Sequence, residues 1–341
     1  VGRESRAEHF PVLQKDSIAK PLYNKAVRSH YPPGSIFKMF QALVGLEDGV
    51  LTEQTVFICD GSKVADHVFG TIGMFDAIKS SSNMWFYRAM ERIVQPGKHR
   101  NLFKDAREGL DNWATHMRTF GLGQVLPIEL EGVYAGRVPD ANFYDNEFPF
   151  PPQEPYGKHR WAYSTIYSNS IGQGEVELNP LQMANLACTI ANRGHFYYPH
   201  LVRQVGEGGE KRAIFQERQK VYPDPEHFDI VVDAMRAVVE DPGGTGSMAR
   251  IPGITVCGKT GTAQNPHGED HSVFMAFAPM ENPKIAVAVY VENAGWGGVW
   301  AAPISSLMIE MYLNREIGEE GKKKEEKILE GDFLTPLYET P

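Results

Sequence analysis

Three short clusters in this sequence hold the residue types that acyl transfer needs. The first is Ser35-Ile36-Phe37-Lys38. Side chains three apart share one face of a helix, so the Lys38 amine sits about a turn above the Ser35 hydroxyl. A serine hydroxyl is a weak nucleophile until a base stands beside it. A lysine serves as that base only when burial or a neighbouring positive charge lowers its pKa. The apolar run around it, including Phe37, Met39, Phe40 and Leu43, favours such burial. Ser35 at a helix start also lies beside unpaired backbone N–H groups that favour negative charge. The second cluster is Ser81-Ser82-Asn83, a hydroxyl that can relay a proton and an amide that donates and accepts at once. The third is Lys259-Thr260-Gly261-Thr262. It offers a positive charge, two hydroxyls and a glycine that lets a ligand approach the backbone, as an extended peptide ending in a carboxylate requires. Each cluster alone has an ordinary alternative: a capping serine with a lysine reaching to water, a helix cap, a strand end before a turn. Their joint occurrence in this order is what points to chemistry.

The elements that must position these clusters are legible in outline. Pro32-Pro33-Gly34 punctuates the chain, Ser35 opens a helix and Gly49 closes it. That helix is apolar over much of its surface, which predicts a central rather than a superficial position. The serine triplet at 80–82 reads as a break or cap between a helix around MFDAIKS and the helix MWFYRAMERIV. Residues 50–72 read as irregular. Residues 96–160 read as long loops with one helical patch near 109–120. A Pro-started helix covers about 180–192, and an amphipathic helix ends near Glu240. Strand candidates follow at 254–263, 271–279 and 284–293, the last two as an antiparallel hairpin around Asn282-Pro283. The helix APISSLMIEMYLN closes the pattern. Helices, then a short antiparallel sheet, then a helix predict an α+β domain. We find no internal repeat.

Composition narrows the function. The chain has 341 residues, 42% of them apolar, and a formal net charge of -9. That charge, with no basic stripe, excludes a nucleic-acid partner; the one lysine run, GKKKEEK, alternates with glutamate and reads as a solvated tail. Three scattered cysteines, Cys59, Cys188 and Cys257, do not make a disulfide framework. No apolar run is long enough to span a bilayer, and the first residues do not form a signal peptide.

S-x-x-K, S-x-N and K-T-G in that order are the signature set of the serine penicillin-recognising enzymes. Further stretches extend the likeness: NKAVRSHYPPGSIFKMFQALVGLEDG, SIGQGEVELNPLQMANLACTIANRG and GKTGTAQ with the two strands after it. On these residues the chain resembles the transpeptidase domain of class B penicillin-binding proteins over approximately 20–315, and EGLDNW with FGLG resembles the elongation-specific group. The resemblance implies the penicillin-binding protein transpeptidase / serine β-lactamase-like fold, an antiparallel sheet flanked by helices. Residues 1–19 would be a remnant or linker and 316–341 a charged tail. It implies that Ser35 attacks the penultimate D-Ala of a peptidoglycan stem peptide, that Lys38 takes its proton, and that Ser81 shuttles a proton to the leaving D-Ala. Asn83 would hold the substrate amide and help fix Lys38. Lys259, Thr260, Gly261 and Thr262 would bind the terminal carboxylate, and the N–H groups of Ser35 and Thr262 would face the oxyanion. β-Lactams would stall the acyl-enzyme. No cofactor is implied.

By the same resemblance the domain works on the periplasmic face of the inner membrane, anchored by an N-terminal segment absent from this chain. It would work beside a SEDS-type glycosyltransferase and rod-complex proteins. Family members open the domain with a strand pair well before the nucleophile, whereas 34 residues precede Ser35 here, so the chain is expected to lack N-terminal sequence. Some relatives bind zinc through a cysteine in the middle of S-x-N. Ser82 stands there instead, and although Cys59, Asp60, Asp66 and His67 are ligand types at close spacing, no metal site is expected. His267 and His271 are candidates for the cleft rim, while His195, His200 and His227 make no metal pattern. Trp296 and Trp300 should lie in a rigid loop near the cleft. Other readings are a D,D-carboxypeptidase, a β-lactamase using Glu108 and Asn112, a β-lactam sensor domain and a non-catalytic scaffold.

Overall fold

The computed structural model describes residues 3–148 and 161–333. The first half is helical. Its elements are α1 (Arg3–Lys15), α2 (Lys25–Arg28), α3 (Lys38–Glu47), the hairpin β1 (Val56–Cys59) and β2 (Gly70–Gly73), α4 (Met74–Ser80), α5 (Asn83–Val94), α6 (Leu102–Thr119) and α7 (Ala141–Glu147). The second half adds α8 (Tyr163–Ile166), α9 (Pro180–Ala191), the small pair β3 (His195–Phe196) and β4 (Gln219–Lys220), and α10 (Phe228–Glu240). The strands β5 (Cys257–Ala263), β6 (His271–Ala278) and β7 (Ile285–Val291) follow, then α11 (Ala301–Asn314) and α12 (Glu319–Leu329).

The sheet has the order β5-β6-β7 and is antiparallel throughout, with Thr262 opposite Ser272 and Ala278 opposite Ile285. Side chains alternate across a strand, and β6 shows what that does here. Val273, Met275 and Phe277 enter one core with α3, α5, α9 and the start of α10. Phe274, Ala276 and Ala278 enter a second core with α11. Being apolar on both faces, β6 is the central strand between two helical layers, and β5 is left with one free edge.

Every residue of α3 from Lys38 to Leu46 is buried, as its composition predicts. Its one buried amide is fully used: Gln41 accepts from Trp113 Nε1 at 2.8 Å and donates to the Asn169 carbonyl at 3.1 Å. The α+β class, the three strands, the closing helix and the cap at 80–82 agree with expectation.

Several segments differ. Residues 56–73 form a hairpin rather than an irregular stretch. Its strands put Val56 and Ile58 in solvent, so no buried alternation announces them. In the 96–160 region α6 runs 18 residues, capped by the Asn101 side chain on Lys104 N, and α7 follows; residues 149–160 lie outside the described residues. Residues 3–15, expected as a linker, are helical. The lysine run expected as a solvated tail is the body of α12. There Lys324 is half-buried and donates to the Arg250 carbonyl at 2.7 Å and to Ser306 Oγ at 3.0 Å. The missing side chain of Gly321 lets this helix lie against Glu310 of α11, since a Cβ there would stand 2.4 Å from Glu310 Oε2.

Candidate active site

The three sequence clusters converge on one cleft of about 460 Å³. Ser35 reaches it from a 3-10 turn, Gly34–Phe37, that precedes α3. This refines the expected helix start. A 3-10 turn has three residues per turn, so Ser35 and Lys38 point the same way, one directly above the other. Gly34 makes the turn possible. Its φ is +61°, and a Cβ there would stand 2.7 Å from the Thr262 carbonyl oxygen. The turn therefore lies flush on β5, and Gly34 N–H donates to the Gly172 carbonyl at 2.8 Å.

Lys38 is fully buried. Its Nζ donates to the Ser81 carbonyl at 2.7 Å and to Asn83 Oδ1 at 2.7 Å, and it lies 3.2 Å from Ser81 Oγ, a hydroxyl that can donate as well as accept. Burial, and then the charge of Lys259, hold this amine well below the ordinary lysine range. A neutral amine has a lone pair, which is what a base for Ser35 requires. Ser81 takes the left-handed conformation at the end of α4, with φ 62° and ψ 40°. That bend turns both its carbonyl and its hydroxyl toward Lys38.

Ser82 does different work from its neighbours. Its Oγ accepts from Trp85 N at 3.2 Å as the cap of α5 and donates to Asp66 Oδ2 at 2.6 Å. Asp66 also accepts from the N–H groups of Met84 at 2.8 Å and His67 at 2.8 Å. Burial pushes the Asp66 carboxyl up, but the bonds from Ser82 and these N–H groups outweigh it and hold the group below its usual range. The loop thus ties α5 in place through a carboxylate already supplied with donors. Cys59 lies 3.4 Å from Ser82 Oγ. Asp60 binds Ser62 N instead, and His67 binds the Ser80 carbonyl. Among the described residues no group of three or more His, Cys, Asp or Glu is arranged to hold a metal.

Lys259 projects from β5 to the same face as Cys257 and is fully buried. Burial alone brings its pKa down to about 7. Its Nζ donates to the Thr260 carbonyl at 3.1 Å. On the opposite face Thr260 Oγ1 lies 2.6 Å from Thr245 Oγ1. The Thr262 carbonyl accepts from Gln173 Nε2 at 2.9 Å, so it points off the free edge of β5. The N–H of a strand residue points to the same edge as its carbonyl, which sends Thr262 N–H into the cleft. Such an outward N–H close to a nucleophilic serine can stabilise a developing oxyanion.

Sequence reasoning passed over Thr245, Gln173, Gln264 and Asp270, all of which line this cleft. The Trp296 loop lies where expected, at the rim, with Ser272 Oγ donating to the Trp296 carbonyl at 2.9 Å. The expected histidines do not. His271 meets Tyr31 and Tyr290 at tilted angles on the α3 face of the sheet, His267 is likewise outside the cleft lining, and His67 is the histidine in the cleft. Glu108 sits on the outer side of α6 and pairs with His99, outside the cleft lining. A larger cavity, about 780 Å³, lies beyond the turn Ser247–Ala249 toward α12 and holds none of the motif residues.

Comparison with known proteins gives the family. The penicillin binding protein transpeptidase domain matches residues 4–310. The peptidoglycan D,D-transpeptidase MrdA of Haemophilus influenzae is 28% identical over 343 residues, 91% of this chain and 48% of that protein. The peptidoglycan D,D-transpeptidase PbpA of Mycobacterium tuberculosis is 30% identical over 91% of this chain and 62% of its own length. Among solved structures, Pseudomonas aeruginosa PBP2 in complex with WCK 5153 gives a TM-score of 0.73 at 27% identity, covering 94% of this chain and 65% of that one. A peptidoglycan synthase complex described as coordinating polymerization and crosslinking gives 0.73 at 26%, covering 92% and 51%. The chain spans about half the length of the MrdA relatives it matches. With the family match covering almost all of the described residues, this chain belongs to the penicillin-binding protein transpeptidase domain family, and within it to the type of penicillin-binding protein 2.

Proposed function

We propose that this domain is a serine D,D-transpeptidase that cross-links peptidoglycan stem peptides during cell elongation and is inhibited by β-lactams. The observation that carries the proposal is the buried Lys38 amine, depressed in pKa, one 3-10 turn from Ser35 and bonded to both Ser81 and Asn83.

Lys38 Nζ accepts the Ser35 proton as Oγ attacks the carbonyl carbon of the penultimate D-Ala. The oxyanion faces the N–H groups of Ser35 and Thr262; one such donor is worth about 3–4 kcal/mol in the transition state. Collapse breaks the C–N bond, and the departing D-Ala nitrogen takes the proton from Lys38 by way of the Ser81 hydroxyl. Asn83 holds the substrate amide, and Lys259, Thr260, Gly261 and Thr262 receive the terminal carboxylate. The amine of a second stem then attacks the Ser35 ester, and the C–O bond breaks as Oγ regains a proton. A β-lactam forms the same ester, but its leaving nitrogen stays tethered through the opened ring and blocks the second amine.

The domain would act on the periplasmic face of the inner membrane, beside a SEDS-type glycosyltransferase and rod-complex proteins. The coupling of polymerization to crosslinking in the related synthase complex supports that setting. The test is covalent labelling by a fluorescent penicillin, read by intact mass. We expect one stable adduct on the wild-type protein and none on Ser35→Ala. Labelling of Ser35→Ala at the wild-type rate would sink the proposal.

A further inference from the structure

Away from Thr262, the cleft runs past the Thr245–Thr260 hydroxyl pair to Ser247 and Met248. Both of these residues also line the larger cavity of about 780 Å³ toward α12. The two spaces therefore share one wall, fixed at its backbone and open at its side chains. Gly246 N donates to the Val238 carbonyl at 2.9 Å. The Arg250 guanidinium donates to the Val239 carbonyl at 2.8 Å and to the Glu240 carbonyl at 3.0 Å. Met248 is 37% exposed and stands between the two spaces.

The larger cavity has a charge of its own. Among the described residues that line it, four cations, Arg250, Lys323, Lys324 and Lys327, face two carboxylates, Glu240 and Glu320. The chain as a whole carries a net charge of -9. Positions 320, 323, 324 and 327 are spaced as one helix face, so α12 turns that face to this space. Arg250 and Lys324 are bound to backbone carbonyls, whereas Lys323 and Lys327 are exposed. Ile251, Pro252 and Ile254 add apolar surface beside them. Such a space suits a negatively charged ligand of peptide size.

We infer that this cavity docks the acceptor, the second stem peptide whose amine attacks the Ser35 ester, and that Lys323 and Lys327 meet its carboxylate. The inference rests on the transpeptidase reading. In that reaction the acceptor nitrogen bonds to the ester carbon, the C–O bond to Ser35 breaks, and the amine proton passes to Oγ. The incoming nitrogen must stand where the D-Ala nitrogen stood, because both bond to the same carbonyl carbon from the same side. The departed D-Ala had its carboxylate at Thr260, so the place it vacates opens toward Ser247 and Met248. The acylated donor keeps the Thr262 side filled. The rest of the acceptor therefore extends past Met248 into the second cavity. As a second copy of the donor stem, it too ends in a carboxylate.

The test supplies acyl-D-Ala-D-thiolactate as thioester donor with two acceptor peptides that share one free amine, one ending in a carboxylate and one in a carboxamide. Mass spectrometry reads transfer to each amine against hydrolysis of the ester. The wild type should transfer to the carboxylate acceptor about fivefold better, the scale of two solvent-exposed ion pairs. Raised salt should bring that ratio toward one, and so should Lys323→Gln combined with Lys327→Gln. Equal use of the two acceptors by the wild type at low salt, or a ratio that survives the double substitution, would overturn the site. A diazirine at the acceptor's carboxyl end gives a second reading that does not depend on turnover. Attachment within 247–255 or 319–329 supports the site, and attachment confined to other segments overturns it. Absence of a penicillin adduct on the wild type would instead overturn the transpeptidase reading beneath it.

Discussion

Lys259 is a lysine sealed from water with no carboxylate paired to it among the described residues, and that has a thermodynamic signature. Its pKa is about 7 in the fold and near 10.4 when unfolded. Between those values the unfolded chain binds more protons, so stability rises with pH across that window and is lost as pH falls through it. Removing the amine with Lys259→Met should take up to about 1.4 kcal/mol per pH unit from the slope between about pH 7 and about pH 9, read by urea denaturation. Identical slopes in the two proteins would mean that the amine is not held neutral. The motif residues themselves were readable because each cluster is local and rich in improbable neighbours. Gln173 was not, since it lies 89 residues before the carbonyl it serves. Thr245 and Asp270 were hidden in the same way, being common turn residues whose role comes from a strand brought to them by folding.

The elements explain how those residues are aimed. The sequence placed Ser35 at a helix start, and the structure refines this to a 3-10 turn seated on β5. The reason lies in Gly34, whose left-handed backbone and missing Cβ admit the Thr262 carbonyl. Gly34→Ala should therefore cost about 1–3 kcal/mol of stability, from strain and the clash with backbone. It should also slow penicillin acylation by at least about tenfold, since a shift of even 1 Å misaligns a nucleophile. Denaturant titration and the labelling rate check the two halves, and wild-type rates would contradict the seating. Strands β5 to β7 were legible because their apolar runs are bounded by turns. The hairpin of β1 and β2 was not, because Val56 and Ile58 face solvent. The extent of α6 was hidden by the polar residues of its first two turns.

At the scale of the molecule, two cores meet at the sheet, and the active site sits where their helices end. The charged C-terminal segment belongs to the second core's outer layer. Glu310 is buried on α11 and accepts Gly318 N at 3.1 Å, so α12 covers it. Its lysines and glutamates read as a tail because a helix with so little apolar surface announces no docking face. Deleting 316–341 should lower stability by about 1–3 kcal/mol in thermal denaturation, the range for exposing a buried charged group, while penicillin labelling persists. Loss of labelling would show that the two cores are coupled through this helix. Near Ser35 three separate stretches of chain cross with almost no side chain between them. Gly34 lies against Thr262, and a Cβ on Gly172 would stand 2.2 Å from the Gly34 carbonyl oxygen. In a lineage exposed to an antibiotic, inherited variation has no small step to take at such a crossing. Room for change lies at the mouth of the cleft, at Met248, Val299 and Trp296, whose exposed side chains can be exchanged without moving backbone.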